Sequence, residues 1–343
     1  MKHGAIFVPA ALVAAWLGSF GDAVAVEEQP GTRIEVHAQD MPAPYATPSA
    51  SNPPRLHQTL AGSNLIVPKG FVGEVFADQV TQVRWLEVAP NGDVFATQLR
   101  SGKIWLLRDV DNDGRAETET IFADGFDQPH GMAVRSGFFY VADARGLWRI
   151  PYEPGDTQAR GKPQRITPEG AFGPSGGHWT RNIAFSPDGK HVYVAIGSRG
   201  NVEEEPAPRA TVQEFAADGS GQRTFASGLR NPVGIAFYPG TNDLYVAVNE
   251  RDGLGDGLVP DYLTKVRRDG FYGWPYSYIG THPQPKLAEK RPDLVAKAIV
   301  PDTLFRSHSA PLGLVFYNGD QFPSEYRGDA FVALHGSWNA AQP

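Results

Sequence analysis

His178 stands in "GGHWTRNIAFSPDG" (176–189) beside Trp179, Arg181 and Asn182, immediately ahead of a run with strand periodicity. An imidazole titrates near neutrality, so this residue type can take or give a proton at physiological pH. The same plan recurs in "GLRNPVGIAF" (228–237), where Arg230 and Asn231 crowd the entrance of another strand. Taken singly, a histidine or an Arg-Asn pair at such an entrance serves to cap a turn and bind backbone carbonyls. Two pairs together with His178 point instead to a shared site, provided the fold brings strand entrances together. His130, in "DQPHGMAV", opens a further strand in the same way and is the rival histidine. An acidic run, "DVDNDG" (109–114), alternates Asp109, Asp111 and Asp113 before Gly114 as an EF-hand loop does. Its twelfth position is Thr120 where a bidentate Glu is required, so it reads as a solvated turn, with a separate structural calcium as the lesser reading.

The elements that must position these residues are short strands. Five segments share one pattern of apolar strand, glycine-bearing turn, second apolar strand and polar loop: "VRWLEVAPNGDVFATQLRSGKIWLLRD", "PHGMAVRSGFFYVADARGLWRI", "TRNIAFSPDGKHVYVAIGSRGN", "NPVGIAFYPGTNDLYVAVNERDG" and "PLGLVFYNGDQFPSEYRGDAFVALHGSWN". Period-2 alternation closed by Pro-Asn-Gly-Asp or Pro-Asp-Gly-Lys suits a β-hairpin. Leu86, Met132, Ile183 and Ile235 occupy equivalent positions, recurring at roughly 50-residue steps, the spacing of propeller blades. The predicted fold is all-β, of the six-bladed β-propeller type, with five repeats visible and the C-terminal blade lacking in this chain. Innermost propeller strands line a central channel, so polar residues at their entrances converge on one mouth. Residues beyond Phe271, through "YGWPYSYIGTHPQP" to Asp302, read as an insertion between the fourth and fifth repeats.

Of 343 residues 41% are hydrophobic, ample for a large core, which excludes a disordered or fibrous chain. Lys2 and His3, the apolar stretch from Ala5 to Leu17 and Ala23-Val24-Ala25 predict a cleavable signal peptide over 1–25, hence a periplasmic or secreted protein. Residues 26–64 read as a Pro/Ala/Ser-rich arm or linker, and 65–343 as the propeller. There are no cysteines, which removes disulfides and c-type haem attachment. A net charge of −7 gives no reason to expect nucleic acid or an anionic membrane as partner, and no segment of the mature chain is long enough to span a bilayer. A small molecule is the expected partner.

"GGHWTRNIAFSPDGKHVYVAIGSRGN", "GLRNPVGIAFYP", "NERDGLGDGLVPDYLTKVRRDGFYGWP" and "HGSWN" resemble, in order from about Leu65 to the end, the soluble glucose/sorbosone dehydrogenase family. The resemblance implies a six-bladed propeller that oxidises sugars with pyrroloquinoline quinone (PQQ) and calcium. It implies that His178 is the general base, taking a sugar hydroxyl proton as hydride leaves the same carbon. Arg230 and Asn231 match the pair that reaches the quinone carbonyl, where they would stabilise developing negative charge. Gln98 and His130 are implied as further cofactor contacts. "VNERDGLGD" (248–256) resembles the calcium-holding loop and puts forward Glu250, Arg251, Asp252 and Gly253 as metal residues, with carbonyls turned inward by glycine and carboxylates supplying charge. Without the resemblance this loop reads as ordinary acidic surface.

Two features depart from the family pattern. Its glucose-type members orient the histidine with a carboxylate near the end of the following strand, whereas here Ser198 stands there, with Glu203 just beyond. One of these two orients the imidazole, or the base works differently, and the chain sits closer to the sorbosone branch. The chain also stops at Pro343, where the family continues through another blade, so a sixth blade and its cofactor-binding cations are expected beyond. The expected activity is oxidation of an aldose or sorbosone-like sugar, with electrons leaving to a separate acceptor. The competing functions are a calcium-dependent lactonase or related hydrolase on a six-bladed propeller, and a non-catalytic propeller binding module.

Overall fold

Blade one of the computed structural model, which describes residues 29–53 and 65–341, is an antiparallel sheet of β1 (Val83–Val88), β2 (Val94–Gln98), β3 (Lys103–Arg108) and β4 (Thr118–Ala123). Blade two repeats it with β5 (Met132–Arg135), β6 (Phe138–Asp143), β7 (Gly146–Pro151) and β8 (Gln164–Arg165). Blade three comprises β9 (Arg181–Phe185), β10 (His191–Ile196), β11 (Thr211–Ala216) and β12 (Arg223–Ser227). Blade four begins with β13 (Asn231–Phe237), β14 (Leu244–Asn249) and β15 (Pro260–Lys265). The insertion follows: β16 (Gly270–Phe271) adds in parallel to β12, and β17 (Ser277–Tyr278) pairs with β18 (His282–Pro283). Blade four closes on β19 (Thr303–Ser307), and β20 (Pro311–Phe316) and β21 (Ala330–Leu334) form a final hairpin.

The turns close as the sequence predicts. In Pro90-Asn91-Gly92-Asp93, Ala89 N donates to Asp93 O at 2.8 Å and Gly92 takes φ +89°, a left-handed conformation that favours glycine. Met132, Ile183 and Ile235 pair with Val141, Val194 and Val246 on the second strand of each blade, so these repeat positions are equivalent in three dimensions. Leu86 pairs likewise with Ala96 but is 55% exposed, where the other three are buried.

β1, β5, β9, β13 and β20 pack against one another in sequence order, as the innermost strands of a propeller do. The core lies between blades: Phe95, Phe122, Phe139 and Tyr152 join blades one and two, and Tyr140, Val192, Val194 and Phe215 join two and three. Tyr193, Val246, Val248 and Tyr262 join three and four. Each such side chain contributes about 1.5–3 kcal/mol by leaving water, and this interleaving holds the strand ends in register. The all-β propeller expectation is met. The five visible repeats are present as four blades and the β20–β21 hairpin among the described residues, and six blades are not shown.

The segment read as an arm packs where described. Tyr45 N donates to Leu254 O at 2.6 Å and Asp256 N to Thr47 Oγ1 at 2.9 Å. The signal-peptide expectation over 1–25 lies outside the described residues, and among those described no helix is long and apolar enough to cross a membrane.

Candidate active site

Adjacent blades deliver their polar residues to one end of the sheet stack. His178 lies three residues before β9, Arg230 directly before β13 and Asn231 at its first position; Glu250 follows β14 and Asp261 is the second residue of β15. His308, after β19, and Asn339, after the final hairpin, complete the lining of a cavity of about 150 Å³.

His178 is held by Ser198. Its backbone N–H donates to Ser198 O at 3.0 Å, while its Nδ1 lies 2.9 Å from Ser198 O and 3.0 Å from Ser198 Oγ. The Ser198 hydroxyl donates to Gly200 O at 2.7 Å, and a carbonyl only accepts. Nδ1 therefore carries the proton, and Nε2 keeps a bare lone pair. Ser198 is the orienting residue, chiefly through its carbonyl; Glu203 is exposed and takes no part. Burial, then the Arg230 charge, pushes the imidazole down to about 4, against the Ser198 bond and Asp252, which favour the cation. If neutral His178 is the working form, turnover should be flat from pH 8 to 5 and fall as pH drops through about 4, which a pH–rate profile checks.

Gly197 permits this geometry. A Cβ there would run into Asn231 Oδ1 and lie 2.7 Å from His178 Cβ. Gly197→Ala should cost about 1–3 kcal/mol by overpacking, seen as a lowered melting midpoint together with weakened activity.

Arg230 is buried and saturated. Nε donates to Asn201 O at 3.0 Å, Nη1 to Glu250 O at 2.6 Å and Nη2 to Asn201 Oδ1 at 2.9 Å and Asp252 Oδ2 at 3.2 Å. Its donors thus bind the loop after β14 to Asn201, rather than standing free for a quinone oxygen. Asn231 differs: it lines the cavity, is 8% exposed, and its Oδ1 has no partner.

Of the four predicted metal residues, Glu250 and Asp252 line the cavity, whereas Arg251 and Gly253 do not. The Asp252 carbonyl accepts from the Arg251 guanidinium and from Asn201 Nδ2, so it is already engaged. Asp261, missed in the sequence because it sits in a regular strand, takes their place. Its Oδ1 accepts from Glu250 N at 2.7 Å and its Oδ2 from Ala310 N at 2.8 Å. Burial pushes Glu250 up to about 8 and Asp261 up to about 7, and Glu250 Oε1 has no partner. Burial also raises Asp252, but bonds from His308 and Asn339 and the Arg230 charge more than offset it and hold this carboxyl low.

Gln98 and His130 are not brought to the cavity. Gln98 Nε2 donates to Thr81 O, and its Oε1 accepts from Ser101 Oγ and Trp105 Nε1, all within blade one. His130 is buried between Trp85 and Trp179, with ring centroids 5.3 and 5.5 Å away, and burial drives it down to about 3. Arg181, also buried, donates to His178 O at 2.9 Å and so supports the histidine from behind. Asp109, Asp111, Asp113 and Glu117 cluster on an exposed turn of blade one, and Asp109 accepts from Asn112 N and Gly114 N.

The architecture and this cavity define an all-β propeller with a polar cavity at one mouth. The chain matches the TrAA12-like family over residues 65–259, and it belongs to that family. It is 30% identical over 282 residues to the aldose sugar dehydrogenase YliI of Escherichia coli K12, covering 77% of this chain and 65% of that protein. An uncharacterized protein of Borreliella burgdorferi is 34% identical over 167 residues, 48% of this chain and 44% of its own length. The chain thus spans less than two thirds of either relative. Among solved structures, the holo form of the pyranose dehydrogenase PQQ domain from Coprinopsis cinerea superposes with a TM-score of 0.64 at 20% identity, covering 77% of this chain and 73% of that one. A calcium structure of a Trichoderma reesei Carbohydrate-Active Enzymes Family AA12 protein gives 0.64 at 16% identity, covering 78% and 76%. At these identities the likeness is one of fold.

Proposed function

We propose that the protein is a PQQ-dependent dehydrogenase oxidising an aldose or, on the sorbosone-branch reading, a sorbosone-like sugar. The observation that carries this is the bare Nε2 of His178, held in one cavity with the unpartnered Asn231 Oδ1 and the carboxyl groups of Glu250, Asp252 and Asp261. Two of those acids fit a calcium ion, a hard cation that seeks oxygen ligands: Glu250 Oε1 is buried without a partner, and Glu250 and Asp261 are both raised by burial, a cost that a cation would relieve. Asn231 Oδ1 is an unpartnered acceptor, which fits a hydrogen-bond donor of a bound ligand rather than a quinone carbonyl. When bound, calcium-held PQQ supplies the two-electron hydride acceptor.

The chain's own residues do the remaining work. His178 takes the proton of the sugar hydroxyl on Nε2, and its Nδ1–H stays on the Ser198 carbonyl, so the ring does not turn as it becomes cationic. Asp252, on the same cavity, stabilises that cation. Arg230 holds the loop of Glu250 and Asp252 in place directly, donating to Glu250 O and Asp252 Oδ2, and ties it to Asn201. Electrons leave to a separate acceptor, and the N-terminal leader motif supports a periplasmic or secreted location.

Adding PQQ and calcium to the purified full chain, then following dye reduction with a panel of aldoses, tests this. Sugar-dependent reduction requiring both additions is expected. Lactone hydrolysis with calcium alone would favour the hydrolase reading, and absence of quinone binding would overturn the proposal.

A further inference from the structure

Behind His178, away from the cavity, lies a second charged group that the proton transfer does not use. Arg209 is 3% exposed. Its Nη2 donates to Ser198 O at 2.8 Å, to Gly176 O at 2.8 Å and to His178 O at 3.4 Å, and Nη1 to Pro174 O at 3.4 Å. One planar guanidinium thereby ties the segment entering His178 to the carbonyl that receives the imidazole's Nδ1–H. A rigid fork of donors suits such a clamp in a way that a lysine's single ammonium does not. Glu205 lies 3.8 Å from Arg209 Nε, supplying a counter-charge without a hydrogen bond, while accepting from Arg199 N at 2.7 Å and Gly200 N at 2.9 Å. Glu205 therefore anchors the turn that follows Ser198 and balances the arginine's charge.

We infer that Arg209 is a positioning residue for His178: it fixes the Ser198 carbonyl against the 174–178 segment, so that Nδ1 keeps its proton and Nε2 faces the cavity bare. This rests on the reading of His178 as the base. The other charged groups about the imidazole are Arg230 and Asp252 on the cavity side and Arg181 on its backbone carbonyl. Arg209 adds a positive charge behind the ring, which disfavours the imidazolium, and burial with the Arg230 charge acts in the same sense. Removing Arg209 therefore moves the histidine's titration to higher pH while freeing the ring to exchange tautomers.

Nitrogen-15 NMR of histidine-labelled full-length protein, read beside steady-state kinetics, tests the inference. In the parent, His178 should show the single Nδ1–H tautomer. In Arg209→Met it should show mixed tautomers and titrate at higher pH, with kcat down tenfold or more and KM within about twofold. Arg209→Lys should restore the tautomer only in part. If Arg209→Met does not fold, Glu205→Gln, which keeps the arginine but removes its counter-charge and loosens the 199–200 turn, should mix the tautomers to a smaller degree without raising the titration. A single unchanged tautomer and titration in the folded variants would overturn the inference. Tautomer shifts in a protein that oxidises no sugar would leave the positioning role standing and sink the dehydrogenase reading instead.

Discussion

His178→Asn is expected to lower sugar-dependent dye reduction by about 10²–10⁴-fold, the span usually lost with a general base. Asparagine can still reach the Ser198 carbonyl, so the lesion should be confined to the lone pair that Nε2 presents. PQQ binding, followed by the quinone's absorbance, should therefore remain within a few-fold of the parent. A parallel collapse of binding would make His178 a structural support. An unchanged rate would move the base elsewhere, and His308, in the same cavity and 3.6 Å from Asp252 through Nδ1, would be the next group to test.

Glu250→Gln should abolish most of the stabilisation by calcium. An ion bound only by the folded state, at a concentration 100 times its dissociation constant, adds about 2.7 kcal/mol. The pH dependence follows from the directions of the shifts. Glu250 and Asp261 titrate higher folded than unfolded, so without metal their contribution to stability is complete below the ordinary carboxylate range and is lost as pH rises through about 7 to 8. Calcium replaces the lost protons, so its effect on the melting midpoint should grow from pH 6 to pH 9 in the parent. In Glu250→Gln it should be small at every pH. A calcium effect that survives Glu250→Gln, yet vanishes when Asp109 and Asp111 are changed, would place the ion on the blade-one turn.

Period-2 runs closed by Pro-Asn-Gly-Asp and Pro-Asp-Gly-Lys made the hairpins legible from the sequence, because both the alternation and the turn chemistry are local. Blade number was less legible, since a repeat shows where a strand pair begins but not how many strands its sheet gathers: β16, from the insertion, adds to blade three. Leu86 shows the same limit, matching Met132 in register but not in burial. In the site, His178, Asn231, Glu250 and Asp252 were legible because each stands at a strand end that the propeller turns toward one mouth. Asp261 was not, because it occupies a regular strand position, and only the fold reveals that Glu250 N and Ala310 N both need its carboxylate. Asn201 and Arg209 act on carbonyls and loops far from them in sequence, and no spacing rule records such bonds. Gln98 fails for the opposite reason: its polar groups are consumed within its own blade.

The most direct test of the central claim is a single-turnover measurement on the full chain loaded with PQQ and calcium, mixed rapidly with an aldose bearing hydrogen or deuterium at C1. Reduction of the bound quinone is predicted, slowed by the deuterium and slowed far more by His178→Asn at equal quinone occupancy. Bound quinone left oxidised by every aldose would contradict the account, as would reduction at a rate indifferent to His178.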